Sequence, residues 1–333
     1  MNFIFGQEKK FFEFISNLSD KDKIGIISHN DLDGIVSAVI MSKILGKIDY
    51  IQFIDYNPKE FINIISELKK NKINKTVFLD LNFGGSPDFF KEIVKFSEIL
   101  FLDHHESVDV NSEKIVYLRT ESKIPACAIC SYFALKMIEI PGFISALGII
   151  SDRVDRYNSQ NNQDVFEDFG LRGKIELWEY EDILNFARIY LRNDLQKIYD
   201  FLMNIKKIEE IKGLEKYAEP VKKEFESCLE DFYKNKKEFG DIIFYEFSPK
   251  YNIKSSLINR ISTENQNRVL IFASVSGDNV FISTRCFSAR FNCIKILKRL
   301  TRGIEVSSGG HIVAAGCLLD RQQYEKFKEN LGS

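Results

Sequence analysis

The first hundred residues alternate short apolar runs with longer segments of helical periodicity. The pattern predicts strands at 23–27, 49–54, 76–79 and 99–102, with helices at 34–45, 58–70 and 87–96 between them. Short apolar strands separated by helices are typical of an α/β fold with a doubly wound, mainly parallel sheet. In such sheets ligands bind beyond the C-terminal ends of the strands.

The pattern changes twice in the rest of the chain. Residues 164–237 are helical and charged, which predicts a helical connector; the alternative is additional helices packed on the first domain. Strand patterns return at 241–247, 268–275 and 279–283, with helices at 255–262 and 291–300, and predict a smaller α/β domain. A chain of 333 residues accommodates two domains. The predicted segments are a catalytic domain at 1–165, the connector at 166–238 and a C-terminal domain at 239–333.

Polar side chains that can bind metals follow the apolar elements of the first domain. They are His29, Asp31 and Asp33 after the first strand, Asp80 after the third, Asp103, His104 and His105 after the fourth, and Asp152 after an apolar helix at 144–150. Imidazole and carboxylate together suit manganese, zinc or iron, and an excess of oxygen ligands favours manganese or magnesium. Two alternatives remain: the Asp31–Gly34 turn caps the next helix, and Asp155 is a weaker substitute for Asp152.

These residues resemble a known family. The set His29-x-Asp31-x-Asp33-Gly34, Asp80, Asp103-His104-His105 and Asp152 resembles the four motifs of the DHH phosphoesterase superfamily. The segments with Arg285, with Gly309-Gly310-His311 and with Ala314-Ala315-Gly316 resemble the DHH-associated C-terminal domain of RecJ exonucleases and nanoRNase-type enzymes. The first motif departs from the nanoRNase form, which has His where this chain has Ile27, and its spacing is closer to archaeal RecJ-like members. Ser308 stands where a further Gly is usual.

The resemblance implies roles for individual residues and two divalent metal ions, most commonly Mn²⁺, with Mg²⁺ or Co²⁺ as alternatives. It implies that His29 and Asp31 hold one ion, that Asp33, His104 and Asp152 hold the other, and that Asp80 bridges both. It also implies that Asp103 supports His104 and that His105 faces the scissile phosphate. It further implies that Arg285 binds and stabilises the phosphate and that Gly309, Gly310 and His311 contribute to substrate binding.

The function implied is that of a metal-dependent phosphodiesterase. The preferred substrates are short single-stranded RNA or DNA, hydrolysed to mononucleotides by two-metal activation of water. The alternatives are hydrolysis of a cyclic dinucleotide or of 3′-phosphoadenosine phosphate, and a RecJ-like exonuclease acting on longer single-stranded DNA. Inorganic pyrophosphatase is less favoured, because that branch carries a different C-terminal domain. An inactive relative that acts as a replication scaffold usually loses motif carboxylates, which are present here.

Charge limits the size of a nucleic-acid partner. The formal net charge is −2, from 46 basic and 48 acidic residues, whereas proteins that coat long nucleic acids usually carry a basic surplus. A nucleic-acid contact is therefore expected to be short or confined to one patch. The segment 285–303 contains six basic residues and no acid, which indicates either the solvated face of an amphipathic helix or a patch that follows phosphates.

Two further features complete the sequence predictions. Cys127 and Cys130 have metal-site spacing but lie in an apolar helical run without a second pair, so they are predicted to be buried free thiols. No apolar run approaches the length needed to cross a bilayer, and the N-terminal segment resembles an amphipathic helix. We therefore expect a cytoplasmic protein without a membrane partner, and a homodimer is compatible with the sequence.

Overall fold

Five parallel strands, in the order β2-β1-β3-β4-β5, form the sheet of the first of two units into which the chain divides. The units are Met1–Lys216 and Tyr217–Ser333. The structure is a computed structural model that describes residues 1–55, 58–83, 87–105, 112–152, 176–288, 290–306, 308–310 and 312–332. The predicted fold class, a parallel α/β sheet followed by a smaller α/β domain, is confirmed. The three predicted domain boundaries stay a prediction.

The strands of the first unit are β1 (Ile24–His29), β2 (Tyr50–Ile54), β3 (Lys75–Leu79), β4 (Glu98–Asp103) and β5 (Ile115–Arg119). Its helices are α1 (Glu8–Ser16), α2 (Leu32–Leu45), α3 (Pro58–Lys70), α4 (Pro87–Ile93), α5 (Ala126–Met137), α6 (Gly142–Ser151), α7 (Glu176–Tyr190) and α8 (Gln196–Asn204), followed by a 3₁₀ helix at Ile208–Leu214. The edge strand β5 was not predicted, and α4 ends three residues earlier than expected.

Burial explains the positions of these elements. Every residue of β3 is buried, as expected for a central strand covered by helices on both faces. On one face Phe78 packs edge-on against Phe90, with ring centroids 5.6 Å apart, below α3 and α4. On the other face lies α2, which is buried from Leu32 to Ser42 and lacks a polar side. Its apolar sequence therefore suits a central helix packed between the sheet and α5, α6 and α8.

Helices of the predicted connector pack on the first unit. The hydroxyl of Tyr199 on α8 donates to Ser42 Oγ of α2 at 2.7 Å, and Lys43 Nζ donates to the Met203 carbonyl at 2.8 Å. Helix α7 packs against α6. At these helices the structure agrees with the alternative of additional helices on the first domain. Within the described residues, no helix is long and apolar enough to span a bilayer.

The second unit is built on a six-stranded mixed sheet in the order β10-β11-β9-β8-β7-β6. Its elements are α9 (Glu215–Asn235, which begins in the first unit), β6 (Lys237–Phe239), β7 (Ile242–Phe247), α10 (Lys254–Ser262), β8 (Val269–Ser276), β9 (Asn279–Arg285), α11 (Cys293–Leu300), β10 (Ser308–Gly310), β11 (Ala314–Asp320) and α12 (Arg321–Gly332). Helices α9 and α10 pack on one face of the sheet, and α11 and α12 pack on the other.

Candidate metal centre

The polar residues predicted from the first domain come together at one edge of its sheet. β1, β3 and β4 are neighbours, and their C-terminal ends carry His29, Asp80 and Asp103. The potential ligand atoms form three overlapping groups within which all atoms lie within 4.8 Å of one another. The groups are His29, Asp31 and Asp80; Asp80, His104 and His105; and Asp33, His104 and Asp152.

Asp80 lies at the centre of this arrangement. Its Oδ2 is 3.4 Å from His29 Nδ1 and its Oδ1 is 3.3 Å from His104 Nε2, so each carboxylate oxygen faces a different imidazole. The side chain is buried, and its backbone has a φ of 57°, in the left-handed region. Non-glycine residues adopt this region rarely, although Asp and Asn tolerate it better than most. The chain thus turns sharply after β3 and directs the carboxylate between the two histidines.

The orientation of His104 is fixed from behind. Its Nδ1 lies 2.9 Å from the backbone carbonyl oxygen of Ser122. Because a carbonyl only accepts, Nδ1 carries the hydrogen, and the lone pair of a neutral ring resides on Nε2. Nε2 faces Asp33 at 3.9 Å and Asp152 at 3.8 Å as well as Asp80. This is the arrangement in which a histidine is held ready to bind a metal through Nε2.

The prediction that Asp103 supports His104 is wrong. The Asp103 carboxylate accepts a hydrogen bond from Nδ1 of His105 at 2.7 Å, and Ser122 takes the place expected for Asp103. Asp103 ends β4, and residues i and i+2 of an extended chain project to the same side. The carboxylate therefore orients the ring of His105.

The two carboxylates of the first motif have different surroundings. Asp33 is buried, and its two oxygens accept the backbone N–H groups of Ala126 and Cys127 at 2.8 and 2.7 Å, at the N-terminus of α5. Each oxygen keeps a second lone pair. Asp31 is the N-cap of α2: its Oδ1 accepts from Gly34 N at 2.9 Å, and its Oδ2 faces His29 Nδ1 at 2.9 Å. The predicted helix cap therefore coexists with a position beside His29.

Burial and mutual charge shift the pKa values in this cluster. Burial opposes protonation of His104, but the hydrogen bond and charge of Asp80, with Asp33 and Asp152, raise its pKa to about 11. Burial and the neighbouring Asp80 raise the pKa of Asp33 well above its usual range. Burial, partly offset by His104 and reinforced by Asp80, raises the pKa of Asp152 to about 7. The metal-free cluster thus retains protons at neutral pH.

Gly34 is required by a close approach of the backbone. A Cβ atom at this position would lie 2.3 Å from the carbonyl oxygen of His29, a contact that cannot be relieved by moving a flexible side chain. We expect Gly34→Ala to lower the free energy of unfolding by about 1–3 kcal/mol, because the loop that carries His29 would have to shift. Thermal and denaturant unfolding would measure the loss. Gly213→Ala is the matched control, since its Cβ would meet nothing nearer than Phe201 at 3.8 Å; equal stability losses would contradict the explanation.

Sequence reasoning missed two neighbours of the cluster. One is Ser122, which contributes only its backbone carbonyl. Because any residue has this group, the sequence does not indicate the contact. The other is Arg188 of α7, whose Nη1 donates to the carbonyl of Asn30 at 3.3 Å. Burial lowers the pKa of Arg188, and the nearby Asp31 carboxylate opposes that shift. Arg188 lies on the predicted connector, and only the packing of α7 brings it to the first motif.

The predicted residues of the C-terminal domain lie in the second unit. Arg285 ends β9, and its Nε donates to Asn259 Oδ1 on α10 at 3.0 Å. Among the described residues no ion pair holds Arg285, and its positive charge lowers the pKa of Lys254 after the larger effect of burial. Gly310 has a φ of 139°, and a Cβ there would lie 2.3 Å from the Ala314 carbonyl oxygen, whereas Gly309 is open. His311 lies outside the described residues.

Buried cysteines occur near the cluster. Cys127 and Cys130 are free and fully buried on α5, as predicted, and burial raises the pKa of both thiols.

Comparison with known proteins identifies the family. The model of the DHH family, N-terminal domain, matches residues 23–160, and the model of the DHHA1 domain matches residues 242–333. The chain belongs to the DHH family. An uncharacterised protein from Methanocaldococcus jannaschii is 28% identical over 142 residues, which cover 36% of this chain but only 32% of that relative.

Two solved structures share the fold of this DHH-family chain. RecJ from Thermus thermophilus in complex with Mn²⁺ has a TM-score of 0.68 at 14% identity. That similarity covers 97% of this chain but 53% of RecJ, so the chain spans about half of that protein. A pGpG-specific phosphodiesterase from Vibrio cholerae has a TM-score of 0.51 at 16% identity, covering 93% of this chain and 97% of the enzyme. At these identities the likeness shows the fold alone.

Proposed function

We propose that the protein is a metal-dependent phosphodiesterase that hydrolyses short single-stranded oligonucleotides to mononucleotides. One observation carries the proposal: Asp80 is shared between two sets of donors. On one side of its carboxylate lie His29 and Asp31, and on the other lies His104, which groups with Asp33 and Asp152. A buried carboxylate between two donor sets is suited to contact two cations at once.

The donor chemistry fits two divalent ions. His29 and Asp31 would hold one, Asp33, His104 and Asp152 would hold the other, and Asp80 would contact both. Three or more carboxylates with imidazole suit Mn²⁺ or Mg²⁺, and the structural neighbour RecJ was solved with each of these ions. Of the two, Mn²⁺ is the ion that we propose. When bound, such ions lower the pKa of water and neutralise charge on the phosphoryl group.

The protein's own side chains supply the remaining steps. His105, oriented by Asp103, would contact a phosphoryl oxygen of the substrate. Arg285 is held by Asn259 through Nε, so its terminal nitrogens can bind a substrate phosphate in a fork. Asp33 and His104 are themselves held by backbone groups, which keeps their donor atoms in place before substrate binds.

The proposed size of the substrate is supported by the charge and by one of the comparisons. The net charge of −2 disfavours binding along long nucleic acids. The Vibrio neighbour is named as specific for the linear dinucleotide pGpG. Both observations support substrates of a few nucleotides, and the dinucleotide is the first to test.

Hydrolysis assays test the proposal directly. Purified protein with Mn²⁺ is offered 5′-labelled RNA and DNA of two to twenty nucleotides, pGpG, a cyclic dinucleotide and 3′-phosphoadenosine phosphate. We expect the highest kcat/KM on two to five nucleotides, with mononucleotide products. If only the cyclic compound were hydrolysed, the substrate would be a cyclic dinucleotide and not a short oligonucleotide. If no compound were hydrolysed with Mn²⁺, Mg²⁺ or Co²⁺, the proposed phosphodiesterase activity would be refuted.

The substitution Arg285→Lys tests phosphate binding. Lys keeps the charge but loses the planar fork, so we expect the KM for a 5′-phosphorylated dinucleotide to rise about tenfold with little change in kcat. The matched control is Arg260→Lys on α10, where the guanidinium is already paired with Glu264. An equal effect in both variants would show that Arg285 has no particular role.

A further inference from the structure

Helix α11 and the turn that follows it carry a row of exposed cations on the second unit. The row consists of Lys295, Lys298, Arg299 and Arg302, all exposed, and we call it the α11 row. The segment 286–304 contains no Asp or Glu. Within the part of the chain that the structure describes, no ion pair involves any member of the row.

On other exposed helices that the structure describes, many lysines pair with a nearby acid. The pairs at i, i+3 or i+4 spacing include Lys10–Glu13, Lys70–Glu67, Lys91–Asp88, Lys223–Glu219, Lys234–Glu230 and Lys328–Glu325. Such pairs are the ordinary way to stabilise a solvated helix face. The α11 row therefore differs from the other helix surfaces in having positive charge without a local acid.

Stabilisation of the helix itself explains only part of the row. Lys298 and Arg299 lie in the last turn of α11, where cations interact favourably with the helix dipole. Lys295 lies in the first turn, where a cation is unfavourable, and its backbone N–H is already capped by the Asn292 side chain at 3.0 Å. Helix stabilisation therefore does not explain Lys295, whereas a ligand outside the helix would.

A cavity of about 400 Å³ lies beside the row. The aromatic rings of Phe239 and Phe291 line it, and Lys295 and Arg299 lie among its lining residues. The carboxylate of Asp241 also lines the cavity, but it pairs with Arg290 at 2.5 Å and adds no net negative charge. Half-buried aromatic rings next to unpaired cations are the combination that holds an unstacked base and its flanking phosphates.

We propose that the α11 row and this cavity form a binding surface for single-stranded nucleic acid. One base stacks on the rings in the cavity, and the neighbouring phosphates contact the α11 row. The surface is distinct from Arg285, because α11 packs on one face of the sheet and Arg285 contacts α10 on the other. The choice of nucleic acid as the ligand rests on the proposed function. The surface would bind nucleotides of the same strand that lie beyond those bound at Arg285.

Binding of labelled oligonucleotides to the full-length, metal-free protein tests the surface. Fluorescence anisotropy would compare 12-mers of oligo(dT) and oligo(U) with a dinucleotide, over a range of salt concentrations. We expect the double variant K295Q/R299Q to bind the 12-mers at least about tenfold more weakly, and its salt slope to fall by about 0.7 for each lost phosphate contact. We expect Phe291→Leu to weaken binding about fivefold with an unchanged salt slope, because it removes stacking and not charge.

The control K223Q/K234Q removes the same charge from α9, where both lysines are paired with glutamates. An equal loss of affinity in the control, or wild-type affinity in K295Q/R299Q, would overturn the surface. If K295Q/R299Q bound vesicles of phosphatidylserine and phosphatidylcholine more weakly than the wild type but bound oligonucleotides equally well, the partner of the surface would be a membrane and not a nucleic acid. Hydrolysis of the dinucleotide with Mn²⁺ tests the proposed function separately. If the protein did not hydrolyse the dinucleotide but bound oligonucleotides through the α11 row, the proposed activity would be refuted and the binding surface would be supported.

Discussion

Asp80→Asn is expected to lower kcat on a dinucleotide by at least about a thousandfold, the largest effect of any single substitution in the cluster. The carboxylate faces His29 with one oxygen and His104 with the other, so its loss weakens both donor sets together. Asn has nearly the same shape and tolerates the left-handed backbone found at this position, so the turn after β3 can be kept. Steady-state kinetics and a count of bound Mn²⁺ would measure the result.

Asp49→Asn is the matched control for this substitution. Asp49 lies just before β2, at the N-terminal end of the strands, where it contacts Lys23 at 2.7 Å. The same chemical change is made there, but away from the cluster. Unfolding curves of both variants would exclude loss of the fold as the cause. If Asp80→Asn retained activity and both metals, the assignment of Asp80 as the shared ligand would be refuted.

Local sequence patterns predicted the elements that bring the cluster together. The strands that end at His29, Leu79 and Asp103 are short and apolar because helices cover both faces of the sheet, and such runs are readable without knowledge of the fold. Edge elements were harder to predict. β5 is half-exposed, and β10 is the three-residue segment Ser308–Gly310, whose glycines have little intrinsic preference for a strand.

The hydrogen bonds that hold the candidate ligands could not all be predicted. Ser122 reaches His104 through its backbone carbonyl, which any residue could supply, and Asp33 is held by two backbone N–H groups of α5. The hydrogen bond between Asp103 and His105 could have been predicted from the sequence, because alternate residues of an extended chain face the same side. The metal assignments themselves stay predictions, which metal binding can test.

The affinity for Mn²⁺ is expected to rise steeply with pH, because metal must displace protons from the cluster. A metal binds neutral imidazole and ionised carboxylate. In the metal-free protein the pKa of His104 is raised to about 11, so at pH 6–8 its proton must always leave, and affinity falls about tenfold for each unit of decreasing pH. Asp152, with a pKa raised to about 7, adds up to a further factor of about ten below pH 7. These two groups alone give an expected loss on the order of a thousandfold between pH 8 and pH 6.

Calorimetric titration with Mn²⁺ at pH 6, 7 and 8, in buffers of different ionisation enthalpy, would give both the affinity and the number of protons released. Asp152→Asn is the informative variant: it should bind Mn²⁺ more weakly but lose the additional pH dependence below 7. The side chain of Asp152 is 35% exposed, so water reaches it and we expect its share to be smaller than that of His104. An affinity that is constant between pH 6 and pH 8, or binding without proton release, would show that His104 and Asp152 do not give up protons to hold the metal.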